Sequence, residues 1–149
     1  MLLDRYFAAL ERMDGIRHVP FDESCNRHEN GIQTINNPGL NPGANAGFSI
    51  VAMSCIEQFK TGYFRFVTGI RRRLLLADED YGLVFSVALL DHAGNISSVT
   101  LTDGRTMPVN VTSPFSFLGG GMVKIKNGLI HRIHTVLIRA PYKMNSGWE

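Results

Sequence analysis

The sequence predicts an α+β domain in which two N-terminal helices pack on one face of a curved sheet, and three observations predict it. Up to about residue 60 the apolar positions recur at helical spacing. After Gly62 they recur at every second residue, in runs rich in Val, Ile, Phe, Thr and Leu. Compact turn signals, DEDYG at 78–82 and Asn127-Gly128, separate those runs.

LLDRYFAALERMDG places Leu2, Leu3, Tyr6, Phe7, Leu10 and Met13 on one helical face, with Gly15 as the stop. This helix begins almost at Met1 with no capping residue before it, which raises the expectation of a trimmed form of a longer chain. Residues 24–30 read as a short extended segment ended by Gly31. NNPGLNPGANAG (36–47) is a loop, because Pro38, Pro42 and three glycines exclude a regular element. A second helix over about 48–60 uses Ile50, Val51, Ser54, Ile56 and Phe59 as its inner face. Four strands follow: YFRFVTGIRRRLLL, GLVFSVALLDH, SPFSFL through MVKIK, and GLIHRIHTVLIRA. Gly119-Gly120-Gly121 inside the third predicts a sharp bend or bulge. Residues 93–113, with Asp103-Gly104 and Pro108, predict a small extra hairpin over the mouth of the domain.

With 149 residues and 44% hydrophobic content, the chain is one domain, 1–149, able to close a core. Its net charge of +2 requires neither a nucleic acid nor an anionic membrane as partner. Arg71, Arg72 and Arg73 would alternate across a strand and form no continuous phosphate-tracking stripe. Two cysteines, Cys25 and Cys55, are too few for a disulfide framework and have no CxxC spacing, so a reduced, cytoplasmic domain is expected, with one disulfide left open. No apolar run reaches the roughly twenty residues that span a bilayer. Asp4, Arg5 and Glu11 interrupt the first apolar positions, unlike a signal peptide.

The order of elements, with the closing hairpin MVKIKNGLIHRIHTVL, resembles the cone-shaped fold of nuclear transport factor two, scytalone dehydratase and the SnoaL-like polyketide cyclases. RHENG (27–31), TGYF (61–64), DEDYGLVFSVALLDH (78–92) and the tail ending PYKMNSGW are similar to a SnoaL-like group carrying "ENG" and "PYG…SGW" motifs. The chain departs from that pattern at Lys143 and Asn145, where small residues are usual, and at His134, where many relatives carry Glu or Trp. The resemblance implies a curved antiparallel sheet with helices across its concave face. It also implies an apolar pocket that works without cofactor or metal, in an enzyme of the lyase, dehydratase or isomerase kind.

The candidate residues are the polar groups of otherwise apolar elements. His134, in Ile130, Arg132, His134, Val136, Ile138, reads either as a pocket acid/base or as a core histidine satisfied by a backbone carbonyl. Asp91 and His92 point to opposite faces of their strand, cannot form a dyad, and read as a strand-end turn. Tyr6 and Gln58 could turn a hydroxyl or an amide toward the sheet. Tyr63 and Tyr142 could flank the mouth, and the tail with Trp148 folds back or pairs with another subunit. SCNRHENG (24–31) splits into two faces, Cys25, Arg27 and Glu29 on one, Asn26, His28 and Asn30 on the other. A Cys25/His28 nucleophile pair is thereby disfavoured, and a metal site is disfavoured because no second cluster of His and carboxylates has matching spacing. Which face lines the pocket stays open at this level.

The expected function is cofactor-independent general acid/base catalysis on an apolar, aromatic or polycyclic, hydroxylated small molecule. His28, Glu29 or His134 would transfer the proton, and Arg27 or a tyrosine would steady an oxyanion. The alternative is a noncatalytic binding or oligomerisation module. In either case a homodimer or higher homo-oligomer is expected, since the sheet leaves a convex face and edges to cover.

Overall fold

The computed structural model describes residues 2–12, 19–40 and 49–148. Met13, Gly15 and residues 41–47 of the expected loop lie outside them. The elements are α1 (Leu2–Arg12), β1 (Phe21–Glu29), β2 (Ile32–Gln33), α2 (Cys55–Lys60), β3 (Gly69–Asp78), β4 (Leu83–His92), β5 (Ile96–Thr100), β6 (Thr106–Val111), β7 (Phe115–Lys126) and β8 (Leu129–Ala140). Six strands form one curved sheet in the order β2-β1-β8-β7-β4-β3, and β5 with β6 forms a second, two-stranded one. The architecture is α+β, as expected, but the sheet is mixed rather than antiparallel. β1 and β8 run parallel, with His28 opposite His134 and Glu29 opposite Thr135. A parallel pair requires a long connection, and here residues 30–128 lie between its two strands.

Helix α1 lies across the concave face because its apolar side chains fall at i, i+3, i+4 and i+7: Leu3, Tyr6, Phe7 and Leu10 are all buried. Polar contacts at its rim fix its position. Arg72 donates to Asp4 from Nε at 2.8 Å and Nη2 at 2.6 Å, and Glu11 accepts from the Ile70 N–H at 3.3 Å. Arg71, on the other face of β3, donates to Asp91 instead, at 3.0 Å. The arginine run is therefore split between two faces, as strand alternation requires.

Two elements begin later than their sequence pattern suggests. The second helix starts at Cys55, not near 48, because Ser54 and Glu57 form a capping box. The Ser54 hydroxyl accepts from the Glu57 N–H at 3.2 Å, and Glu57 Oε2 accepts from the Ser54 N–H at 2.9 Å. Residues 50–52 form only a 3-10 turn. The run starting at Tyr63 opens with another 3-10 turn, Tyr63–Phe66, before β3 starts at Gly69. Its rings cluster instead of alternating, with Tyr63 5.3 Å from Phe64 and 5.4 Å from Phe66, centroid to centroid.

The three glycines of β7 make no bulge. Pairing with β4 and β8 runs through them without a register shift, and the irregularity in the β7–β8 ladder falls between Lys124 and Ile125. They leave space. A Cβ at Gly119 would stand 2.6 Å from Leu137 Cδ2, and one at Gly121 2.8 Å from Thr135 Cγ2. The β5–β6 hairpin forms as expected and closes one end of the concave face through a small core of Val99, Leu101, Val109, Val111 and Phe115, with Tyr63, Phe66 and Phe117 packed on it.

Cys25 and Cys55 form a disulfide, with Cα atoms 6.0 Å apart, that ties β1 to the first turn of α2. Disulfides persist in oxidising compartments, so the cysteine count no longer argues for a reducing cytoplasm. Among the described residues no helix is long and apolar enough to cross a membrane.

Candidate functional site

Between α1 and the concave face lies a cavity of about 170 Å³. Its floor comes from alternate residues of β4, β7 and β8: Ser86 and Ala88, Gly119 and Gly121, Thr135 and Leu137. The glycines are what keep this floor low. Most of the lining is apolar, and its ionisable groups sit in two places.

The first is the face of β1 that carries Arg27 and Glu29, which settles the choice left open by strand alternation. Arg27 is only 3% exposed. Its Nε lies 3.1 Å from Glu29 Oε1 and donates to Thr34 Oγ1 at 3.0 Å, while its guanidinium carbon sits 5.3 Å from the centroid of the Phe64 ring. Tyr6, from α1, closes the group. Burial raises its phenol pKa above the ordinary value, against the lowering charge and hydrogen bond of Arg27, so its hydroxyl stays protonated. Arg27 and Tyr6 thus present N–H and O–H donors beside the Glu29 carboxylate.

The second is His92, at the other end of the cavity floor. Its ring stacks on Phe115 at 4.5 Å and 6°, and Phe66 and Phe117 lie at 5.7 and 5.3 Å. Nδ1 is 3.0 Å from the Leu90 carbonyl oxygen. A carbonyl can only accept, so Nδ1 carries the proton and Nε2 the lone pair. Burial holds the imidazole below its usual pKa, with Arg139 adding to the effect and the Leu90 hydrogen bond and Asp91 opposing it. Sequence reasoning placed His92 in a strand-end turn. The available signal was its phase: it shares parity with Ser86, Ala88 and Leu90 on a ten-residue strand.

The remaining candidates fall elsewhere. His28 and His134 occupy the face of the sheet turned away from the cavity, as cross-strand partners with rings stacked at 4.8 Å and 3°. This corrects their expected place in the pocket, because both have the parity opposite to Glu29 and Thr135. His134 is exposed, and its pKa is lowered by partial burial and by the charges of His28 and Arg132.

Asn30 positions the strand rather than facing a ligand. With φ at +50°, it donates from Nδ2 to the Leu137 carbonyl at 3.0 Å and accepts from the Leu137 N–H at 2.8 Å. Its amide thereby extends the β1–β8 ladder past the end of β1. Gln58 is buried as a brace, donating to the Ile50 carbonyl at 2.9 Å and the Thr34 carbonyl at 3.3 Å. Tyr63 packs under the hairpin, and burial raises its pKa. Tyr142 lies in the tail, which folds back on the far side of the sheet: Arg71 donates to the Met144 carbonyl at 2.6 Å and the Lys143 N–H donates to Ser116 Oγ at 3.1 Å. Trp148 in that tail is half-buried.

In overall fold the chain is similar to several solved structures, all at low identity. One is an NTF2-like protein of unknown function from Exiguobacterium sp. 255-15, at 13% identity and a TM-score of 0.48, covering 93% of this chain and 98% of that one. Another is the Mtr2-Mex67 M domain complex of C. albicans, at 14% and 0.48, covering 95% and 94%. A third is a de novo designed protein with a curved β-sheet, at 11% and 0.46, covering 92% and 84%. No curated protein matches the chain. Residues 1–137 match the model of the family described as "Domain of unknown function (DUF8021)", and the chain belongs to that family.

Proposed function

We propose that the protein is a general acid/base catalyst acting on a small, oxygenated, single-ring molecule held between α1 and the concave sheet face. The observation that carries this is the side-by-side placement of Glu29 and the buried Arg27 on the wall of an otherwise apolar cavity. Glu29 takes a proton from the ligand, and the charge that develops on a ligand oxygen meets Arg27 N–H and the Tyr6 hydroxyl. The charge of the site is conserved: a carboxylate beside a guanidinium becomes an oxyanion beside the same guanidinium. An isomerisation through an enolate, or an elimination, uses this arrangement without a cofactor.

Size narrows the ligand. An apolar cavity of roughly 150 Å³ admits benzene, so of the aromatic and polycyclic ligands expected from sequence, about 170 Å³ favours one substituted aromatic ring. A purely noncatalytic module is the less favoured reading, because a carboxylate inside the cavity serves proton transfer better than passive binding of an apolar molecule. The homo-oligomer belongs to the same proposal. Met122, Val136 and Ile138 project from the far face with 47%, 64% and 58% exposure, and a second copy would cover them.

The test is deuterium exchange. Acetophenone and its ring-hydroxylated forms, in D2O and followed by proton NMR, should exchange methyl protons faster with the wild-type protein than with buffer. Glu29→Gln should slow that exchange roughly 100-fold or more. Exchange at the buffer rate for every ketone, or an unaltered rate in Glu29→Gln, would overturn the proposal.

A further inference from the structure

The two polar places of the cavity face a ligand with opposite hydrogen-bonding needs. At the Arg27 end, Nε is engaged by Glu29 and Thr34, and Tyr6 is the one other hydrogen-bonding side chain on the guanidinium among the described residues. A guanidinium has five N–H donors, and buried donors are as a rule satisfied. This end asks for an acceptor oxygen. At the other end the Leu90 carbonyl fixes the His92 tautomer and leaves Nε2 as an acceptor, with no protein donor to it among the described residues. That end asks for a donor.

An aromatic wall joins the two. Phe64 stands 5.3 Å from the Arg27 guanidinium carbon, Phe66 stands 5.9 Å from Phe64, and His92 stands 5.7 Å from Phe66. Every step is about one ring wide, and Phe64, Phe66 and His92 all line the cavity. The wall is three such steps long, so a flat ring lying on its middle reaches the two polar ends through an oxygen substituent on each of its opposite edges. Resting on the cavity reading above, we infer that His92 is a specificity residue, accepting a hydrogen bond from a hydroxyl on the ligand. The ligand class is then an aromatic ring with an acceptor oxygen, carbonyl or enolate, at one end and a free hydroxyl at the other. Capping that hydroxyl as an ether leaves Nε2 without its partner and adds a methyl group against Phe115 and Phe117. Sites built to hydrogen-bond a ligand hydroxyl discriminate strongly against analogues that lack it.

Three probes of nearly equal size separate the possibilities by isothermal titration calorimetry: 4-hydroxybenzaldehyde, 4-methoxybenzaldehyde and benzaldehyde. Wild-type protein should bind the first at least about tenfold more tightly than the other two. His92→Phe, which keeps the stacked ring, should bring the three affinities together. His92→Gln, which keeps an acceptor, should restore part of the preference, and Arg27→Met should weaken all three alike. A measurement on the wild type needs no variant to fold. In long-range proton–nitrogen spectra His92 should show the Nδ1–H tautomer, and Nε2 should move upfield with 4-hydroxybenzaldehyde but not with its methyl ether. Equal binding of the three probes by wild type, or a preference that survives in His92→Phe, overturns the role of His92 while leaving the Glu29 chemistry standing. No binding of any probe overturns the cavity reading together with this inference.

Discussion

Arg27 keeps a full charge with almost no water, and this makes its partner unequal to it. Removing the carboxylate strands a buried cation, whereas removing the cation strands a carboxylate that is one-third exposed. Glu29→Gln should therefore cost about 2–3 kcal/mol of unfolding free energy and Arg27→Met about 1 kcal/mol, an order that urea denaturation would read directly. His92 sets a pH dependence of definite sign. Its folded-state pKa lies below the ordinary 6.5, so its contribution to stability is complete above that value and is lost as pH falls through the lower folded-state pKa. Asp91 and Arg139 are the charges acting on it. Melting curves between about pH 5 and pH 7 should show this acid-side loss in wild type and less of it in His92→Phe. Alternation was enough to sort residues 25 to 30 into two faces from sequence alone. Choosing the face required knowing where α1 lies, and that depends on Asp4 and Glu11 of the helix meeting Arg72 and Ile70 of β3, 68 and 59 positions further along the chain.

The elements that carry the site are held by a few local devices. The disulfide joins the polar strand to α2 across a sequence separation of 30, and closing a loop of that length is worth about 3–4 kcal/mol. Cys55→Ser, or reduction of the wild type, should lower stability by that amount in denaturant titrations, with the loss centred on β1 in hydrogen exchange. Asn30 substitutes its side chain for the next rung of the β1–β8 ladder. Asn30→Ala removes both hydrogen bonds at a left-handed φ and should cost about 1–2 kcal/mol, with faster amide exchange at Leu137. The long strands were legible in sequence because period-2 runs of ten to twelve residues leave little ambiguity. Helix α2 is shorter than its apolar pattern because the capping pair Ser54 and Glu57 sets its start. The parallel pairing of β1 with β8 has no local signature, since it is decided by how the two ends of the chain meet.

At the scale of the molecule, the sheet presents two different surfaces. The face under α1 holds the cavity; the far face, partly covered by the tail, holds His134, Val136 and Ile138 exposed on alternate positions of β8. If a second copy covers it, Val136→Lys with Ile138→Lys should shift the mass measured by light scattering toward the monomer and leave the cavity chemistry of each subunit intact. What the whole account depends on is that ligands enter between α1 and the sheet, against Glu29. Nitrogen–proton correlation spectra recorded during titration with phenol test this most directly. The amides of Glu29, Ser86, Gly119, Gly121 and Thr135 should move together, and those of His28, Met122, His134 and Val136 should not. Shifts confined to the second group, or none at all, would contradict it.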